Sequence, residues 1–388
     1  MTEMVYGSVP VRHGEPILPR WWRTLDKWSV CCVMILFSIG LLLALAASVP
    51  LAEKNGFSNF HYVQRQAAFG VLALLIMMLA SLMSQTLLRR LSVIGFVLAF
   101  VAMAFLPVFG TDFGKGAVRW YSLGFASIQP SEFLKPLFVV VAAWMMAASQ
   151  EINGPPGMRL SFGLTLILVV MLALQPDFGQ ACLVLFGWGV MYFVAGAPIV
   201  LLVLMALCVV GAGTLAYSSS DHFKSRIDGF LSPDLDPNAQ LGIATNAILE
   251  GGFFGVGVGE GTVKWSLPDA HTDFIIAVAA EEYGLVLVLV IIALYATILI
   301  RSLSRLMRER DPFIRLAGTG LVCMFAVQAM VNMSVAVRLL PAKGMTLPFV
   351  SYGGSSLIAM GIAVGMLFAF TRVRPQGEIS DLIRGRTQ

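Results

Sequence analysis

Ten apolar stretches, each about as long as a bilayer is thick, leave this chain little freedom in how it can fold. A membrane-crossing helix needs roughly 20 predominantly apolar residues. Runs of that kind occupy residues 28–50, 61–83, 91–110, 129–149, 160–175, 178–195, 198–217, 273–300, 315–338 and 350–371. Pro176 separates the fifth from the sixth, a run too long for one crossing. The composition agrees: 58% of the residues are hydrophobic and 12% charged, against about 25% charged in soluble domains. The expectation is an all-α polytopic membrane protein with about ten transmembrane helices. Backbone polar groups in lipid are satisfied only inside helices or closed barrels. Residues 1–27 carry no small-residue cleavage site, so the first run reads as a retained span.

Charge distribution sets the orientation. Arg12, Arg20, Arg23, Lys27, Arg89, Arg90, Arg159, Arg301, Arg305, Arg308, Arg310, Arg315, Arg372, Arg374, Arg384 and Arg386 all fall on one side of such a topology. The positive-inside rule makes that side cytoplasmic. Both termini are then cytoplasmic tails (1–27 and 373–388) flanking a membrane domain, 28–372. The long loop 218–272 between the seventh and eighth spans lies outside. Within it, Ser232 to Pro237 is turn-like, Asn238 to Glu250 reads as an amphipathic helix on the membrane surface, and the glycine-rich Gly251 to Gly261 follows. That last stretch lacks the Lys-Ser/Thr and the βαβ setting of a phosphate loop, and reads as a hinge or a close backbone approach. Trp21, Trp22 and Trp28 fit an interfacial anchor.

Cysteines and histidines point to no metal centre. Cys31, Cys32, Cys182, Cys208 and Cys323 sit within apolar runs, and the four histidines are scattered. No nucleic-acid partner is expected. The informative residues are ionisable groups at the outer ends of spans, where burial near lipid is costly without a function or a partner. Asp273, followed by Glu281 and Glu282, enters the eighth span; Thr272 or Asp273 can instead be read as a helix cap. Glu132 and Lys135, three apart, share a helix face and can pair as a structural salt bridge. Arg119 beside Trp120 and Tyr121 is an interfacial anchor or a phosphate-directed guanidinium. Asp177 can cap the sixth span, and Lys343, Ser351 and Tyr352 lie in the Pro/Gly-broken entry to the tenth. Their convergence predicts an outward-facing polar cavity suited to an anionic, lipid-linked ligand. A lipid-linked-precursor flippase or transporter also fits ten spans and broken helices, but inner-half charges are nearly absent. A positioning scaffold would leave the cavity charges unexplained.

Five motifs in order carry a resemblance. They are Arg119-Trp120 with Leu123-Gly124, Gln129-Pro130-Ser131-Glu132-Phe133-Leu134-Lys135, Gln175-Pro176-Asp177-Phe178-Gly179, Ala270-His271-Thr272-Asp273-Phe274-Ile275 with Glu281-Glu282, and Leu340-Pro341 through Lys343-Gly344 to Ser351-Tyr352-Gly353-Gly354-Ser355-Ser356. Together they resemble the SEDS (shape, elongation, division and sporulation) family, and the division-type FtsW branch more than RodA. Val337-Arg338 departs from the small residues usual there.

The resemblance implies a peptidoglycan glycosyltransferase that polymerises lipid II into a growing lipid-linked glycan at the outer face of the bacterial cytoplasmic membrane. It implies work at the division septum with a class B penicillin-binding protein (an FtsI-like transpeptidase) and other divisome proteins. Asp273 matches the family's catalytic aspartate and is assigned the general base. Arg119, Trp120, Glu132, Lys135, Asp177, His271, Lys343, Ser351 and Tyr352 are assigned to substrate binding. Arg119, Lys343, Lys135 or a divalent cation (Mg or Mn) is expected to meet the charge of the departing pyrophosphate.

Overall fold

The computed structural model describes residues 17–112, 118–124, 126–219, 221–231, 240–267, 269–341 and 344–373. Lys343, Lys115, Arg12, the Ser232–Pro237 turn and the tail arginines beyond Val373 lie outside the described residues. The helices are α1 (Ile17–Thr24), α2 (Lys27–Lys54), α3 (His61–Leu82), α4 (Gln85–Ala104), α5 (Leu106–Phe109), α6 (Pro130–Ala148), α7 (Gly157–Leu174), α8 (Phe178–Val194), α9 (Ile199–Ser219), α10 (Asp221–Leu231), α11 (Gln240–Gly251), α12 (Ile275–Leu306), α13 (Pro312–Ala336) and α14 (Gly354–Thr371). Among the described residues eight helices are long and apolar enough to cross a membrane: α2, α3, α4, α6, α7, α12, α13 and α14. A two-residue hairpin, β1 (Tyr121–Ser122) with β2 (Ser127–Ile128), lies between α5 and α6.

Local chemistry explains where the helices start. Pro130 and Pro312 occupy first-turn positions, where a missing N–H costs nothing. The Asp311 carboxylate accepts from the N–H groups of Phe313 and Ile314 at 2.9 and 3.4 Å. Ser84 caps α4 by accepting from the Leu87 N–H. The cap draws Arg89 and Arg90 into the helix, which therefore begins six residues before the apolar run that announced it.

Lipid hydrocarbon is as apolar as leucine, so close packing rather than hydrophobic transfer holds the spans together. α13 is buried along most of its length, and it packs on α6, α8, α12 and α14. α3 and α14 approach through a Gly-x-x-x-Gly stripe. A Cβ on Gly361 would stand 2.4 Å from the Ala73 carbonyl oxygen, and one on Gly365 2.6 Å from that of Met77. Leu72, Leu75, Leu79, Ile94 and Leu98 remain exposed, an outward apolar surface matched to lipid.

Two readings of the outer loop change. The described part of the polar stretch after the seventh run, up to Leu231, is helical: α9 runs to Ser219 and α10 follows. α11 covers the expected amphipathic helix, but it docks on α12 with Ala244 and Ala247 fully buried. The glycine-rich stretch proves to be a close approach. α12 is broken at Gly284, whose φ of 75° and ψ of −173° are open essentially to glycine alone. The carbonyls of Glu281 and Glu282 that the break frees are taken by the N–H groups of Val256 and Gly257, at 2.9 and 3.3 Å. In return the Leu285 N–H donates to the Gly252 carbonyl. Irregular backbone at this depth survives because protein, not lipid, satisfies it.

At the opposite end the polar groups close on one another. Arg301 grips Asp26 through both carboxylate oxygens at 2.8 and 2.7 Å, and Arg305 lies 3.2 Å away. The Val373 N–H donates to the Thr24 carbonyl, so the described ends of the chain meet on this face. Burial works against ionising Asp26, but hydrogen bonds from Arg301 and Ser29 and the charges of Arg305 and Arg301 outweigh it. Its carboxyl is held below the ordinary value. A depressed carboxylate stabilises the fold above its unfolded pKa, near 4, and that contribution disappears as pH falls through the lower folded value. Asp26→Asn is expected to cost about 1–2 kcal/mol at pH 7, the range of charge-assisted hydrogen bonds to partly exposed partners. The difference from wild type should vanish in strong acid; thermal unfolding of the detergent-solubilised protein across pH checks both.

Candidate active site

The site is built on a tight turn. The N–H groups of Thr272 and Asp273 both donate to the Asp269 carbonyl at 3.1 Å, and Asp269 itself has φ 56°. Ala270 and Phe274, both buried, anchor the turn in the core. Neither Thr272 nor Asp273 caps the following helix: the N-cap is Phe274 and no side chain fills the role. Asp273 is half-buried. A Cβ on Gly344 would lie 3.7 Å from its Oδ2, so the chain beside residue 343 runs past this carboxylate.

The segment 344–353 is irregular, and side chains from α3, α12 and α13 hold it. The Asn332 Nδ2 donates to the carbonyls of Asp273 and Met345 at 3.0 and 2.6 Å, tying the two loops together. The Gln328 Nε2 donates to the Thr346 carbonyl, the Tyr295 hydroxyl to that of Pro348, and the Gln66 Nε2 to that of Val350. The Ser351 hydroxyl donates to the Thr272 carbonyl at 2.5 Å while accepting from the Leu347 N–H. The Tyr352 N–H donates to the His271 carbonyl. Side chains satisfied in this way fix a backbone that helix geometry cannot.

Glu132 and Lys135 pair as their spacing predicts, at 2.9 Å, with Lys135 fully buried. Gln180 donates to the other Glu132 oxygen at 2.7 Å, and Lys135 reaches the Gln328 carbonyl oxygen at 3.2 Å. Asp177, also buried, sits at the N-cap position of α8 and accepts from the Gln129 side chain at 3.3 Å. Arg119 donates to the carbonyls of Gln175 and Pro176 at 2.9 and 2.6 Å, and Trp120 bridges to Thr111. Glu132, Lys135, Asp177 and Ser351 are thus committed to partners within the protein. The half-buried Arg119, Trp120, His271, Tyr352 and Asp273 face a more open surface. Through Gln328 and Asn332, four residues apart on α13, the ion pair and the Asp273 turn grip adjacent positions of one loop.

Other charges are accounted for in the same way. Glu282 pairs with Lys264, and the Glu281 carboxylate lies against Gly261. Arg338 donates to the Phe230 carbonyl of α10. Sequence reading passed over Tyr62. Its ring stands 6.0 Å from His271 and 5.6 Å from Tyr352, and its hydroxyl accepts from Asn55 at 2.8 Å. Beside the outer end of a span it looks like one more aromatic-belt residue. Asn332, inside the ninth apolar run, is placed by the sequence within reach of the cavity, and it does hold the Asp273 turn; Gln66, Gln180 and Gln328 gave no signal beyond being amides inside apolar helices. Among the described residues no three His, Cys, Asp or Glu side chains gather as a metal site.

Comparisons with known proteins identify the family. A family profile described as cell cycle protein, FtsW/RodA/SpoVE, matches residues 27–375. A probable peptidoglycan glycosyltransferase FtsW of Caulobacter vibrioides is 40% identical over 366 residues, covering 94% of this chain and 93% of the relative. Its counterpart in Alkalilimnicola ehrlichii is 35% identical, covering 89% of each. Among solved structures, one described as the structural coordination of polymerization and crosslinking by a peptidoglycan synthase complex superposes with a TM-score of 0.73 at 29% identity, over 90% of this chain and 98% of the other. The Thermus thermophilus rod shape determining protein RodA follows, with a TM-score of 0.65 at 27% identity over 90% and 97%. With the matched motifs and the helical membrane fold, these findings show that the chain belongs to the FtsW/RodA/SpoVE family of cell cycle proteins, the SEDS family.

Proposed function

We propose that this protein is a peptidoglycan glycosyltransferase that polymerises lipid II on the outer face of the cytoplasmic membrane during cell division, at the septum. The observation that carries the reading is the position of the half-buried Asp273. It sits on a turn locked to the 344–353 loop by Asn332 and Ser351, in a chain whose relatives bear that activity in their names.

The Asp273 carboxylate accepts the proton of the acceptor sugar's 4-hydroxyl. The freed oxygen attacks the donor's anomeric carbon, and the bond to the lipid pyrophosphate breaks with its electron pair on the phosphate oxygen. One displacement inverts the centre, from an α-linked donor to a β-linked strand. Asp273 then gives up its proton to solvent. A base held in reach of the proton it removes contributes about 10²–10⁴-fold. Arg119, Lys343, Trp120, His271 and Tyr352 bind the pyrophosphate and sugars. Glu132, Lys135, Asp177 and Ser351 hold those groups in place. A divalent cation, Mg or Mn, held chiefly by the substrate's phosphates, would supply further charge neutralisation.

The partner that fits is a class B penicillin-binding protein, with other divisome proteins around it. Against a flippase stands the inner end of the bundle, where the buried Asp26 is paired with Arg301 and Arg305 rather than lining a path. Purified protein given labelled lipid II, with and without the transpeptidase, is expected to yield a ladder of glycan strands; lipid II left intact with the partner present would contradict the reading.

The Tyr62 ring backs His271 and Tyr352 beside the site. Aromatic pairs are worth about 0.5–1.5 kcal/mol each. Tyr62→Ala is expected to slow polymerisation about tenfold, and Tyr62→Phe, which keeps the ring, to restore most of the rate in the same assay.

A further inference from the structure

A slot of about 520 Å³ opens between α7, α8 and α9, away from the Asp273 turn. Its walls include Phe162, Val169, Trp188, Leu204 and Cys208, with Arg159 at one end. Phe162, Leu166, Leu201 and Leu204 are exposed along its rim, so it opens toward the bilayer.

Three features say what it holds. The first is length. From Arg159 to Val169 α7 rises about 15 Å at 1.5 Å per residue, half of a hydrocarbon core about 30 Å thick. The slot therefore spans a single leaflet. Arg159 marks which one, because the positive-inside rule puts that end of α7 at the cytoplasm.

The second is wall chemistry. The Thr165 hydroxyl donates to the Ser161 carbonyl at 2.7 Å, and the Trp188 Nε1 to the Ser161 hydroxyl at 3.2 Å. With the Thr165, Ser161 and Trp188 groups committed, the wall offers a ligand a mainly apolar surface, in which the Tyr192 hydroxyl and the Cys208 thiol are the polar exceptions. The third is charge. Arg159 is exposed, and its guanidinium has neither an ion pair nor a hydrogen bond among the described residues. It stands at headgroup level, where its planar fork suits a phosphate.

We propose that the slot binds one acyl chain of an anionic phospholipid of the cytoplasmic leaflet, with the lipid phosphate on Arg159. This site is separate from the outward-facing one and does not depend on the reaction assigned there.

The test is native mass spectrometry of the full-length, detergent-purified protein titrated with phosphatidylglycerol or phosphatidylcholine. Wild type is expected to retain one phosphatidylglycerol in preference to phosphatidylcholine. Arg159→Gln should reduce that preference about fivefold, the contribution of one basic residue at an anionic surface. Leu204→Trp, which fills the slot, should remove both lipids; Met205→Trp does so from a second position if the first variant fails to fold. Preference unchanged in Arg159→Gln overturns the headgroup assignment. Lipid retained in the folded slot-filling variants overturns the chain site. Absence of any retained lipid in wild type, as a slot reserved for a partner's helix would give, overturns the proposal as a whole.

Discussion

Asp273→Asn is expected to reduce glycan polymerisation by about 10²–10⁴-fold while leaving the unfolding midpoint of the purified protein unchanged. Asparagine keeps the size of the side chain but cannot accept the acceptor's proton. No helix cap is lost, because α12 starts without one from Asp273. Asn332 holds this residue by its backbone carbonyl, which the substitution retains. The loss should therefore fall on kcat and largely spare KM, as when an interaction made only in the transition state is removed. Steady-state kinetics on labelled lipid II with the transpeptidase partner, alongside a thermal melt, checks both halves. A variant within threefold of wild type would remove Asp273 from the base's role.

The largest effect on stability is expected from Lys135→Met. Lys135 is fully buried, and its ammonium lies 2.9 Å from a Glu132 carboxylate that is itself buried. Methionine fills the space but strands a charge, and breaking a buried pair from one side costs about 3–5 kcal/mol. Because Gln328 shares Lys135 with Glu132 and also holds the Thr346 carbonyl, activity should fall too, through the displaced loop. The double variant Glu132→Gln with Lys135→Met should recover much of the stability, since no charge is then left alone. Denaturation midpoints of the two variants decide the matter. A single variant within 1 kcal/mol of wild type would mean that the pair is solvated.

The spans were legible because lipid demands long apolar runs, and α3, α6, α7, α8 and α14 begin or end within a few residues of theirs. Boundaries that a polar residue sets were harder. Ser84 starts α4 early, and α12 carries Arg301 and Arg305 to Leu306 because Asp26 receives them. The glycine-rich stretch showed its need for close approach, but not that it repairs a break at Gly284, which only the meeting of two distant segments reveals. In the site, the spacing of Glu132 and Lys135 was enough to pair them. Their amide partners Gln180 and Gln328 come from helices 48 and 193 residues away, and no local pattern encodes such contacts. The same holds for Tyr62, brought to His271 by the packing of α3 rather than by any motif.

The central claim is that an outward-facing carboxylate removes a proton as sugars join, and that the protein does not carry lipid across the bilayer. Proteoliposomes holding labelled lipid II, scored in one experiment for glycan strands and for lipid II moved between leaflets, test it most directly. Wild type is expected to form strands and Asp273→Asn none, with no movement above empty vesicles in either. Protein-dependent movement of lipid II without polymer, unchanged in the variant, would contradict it.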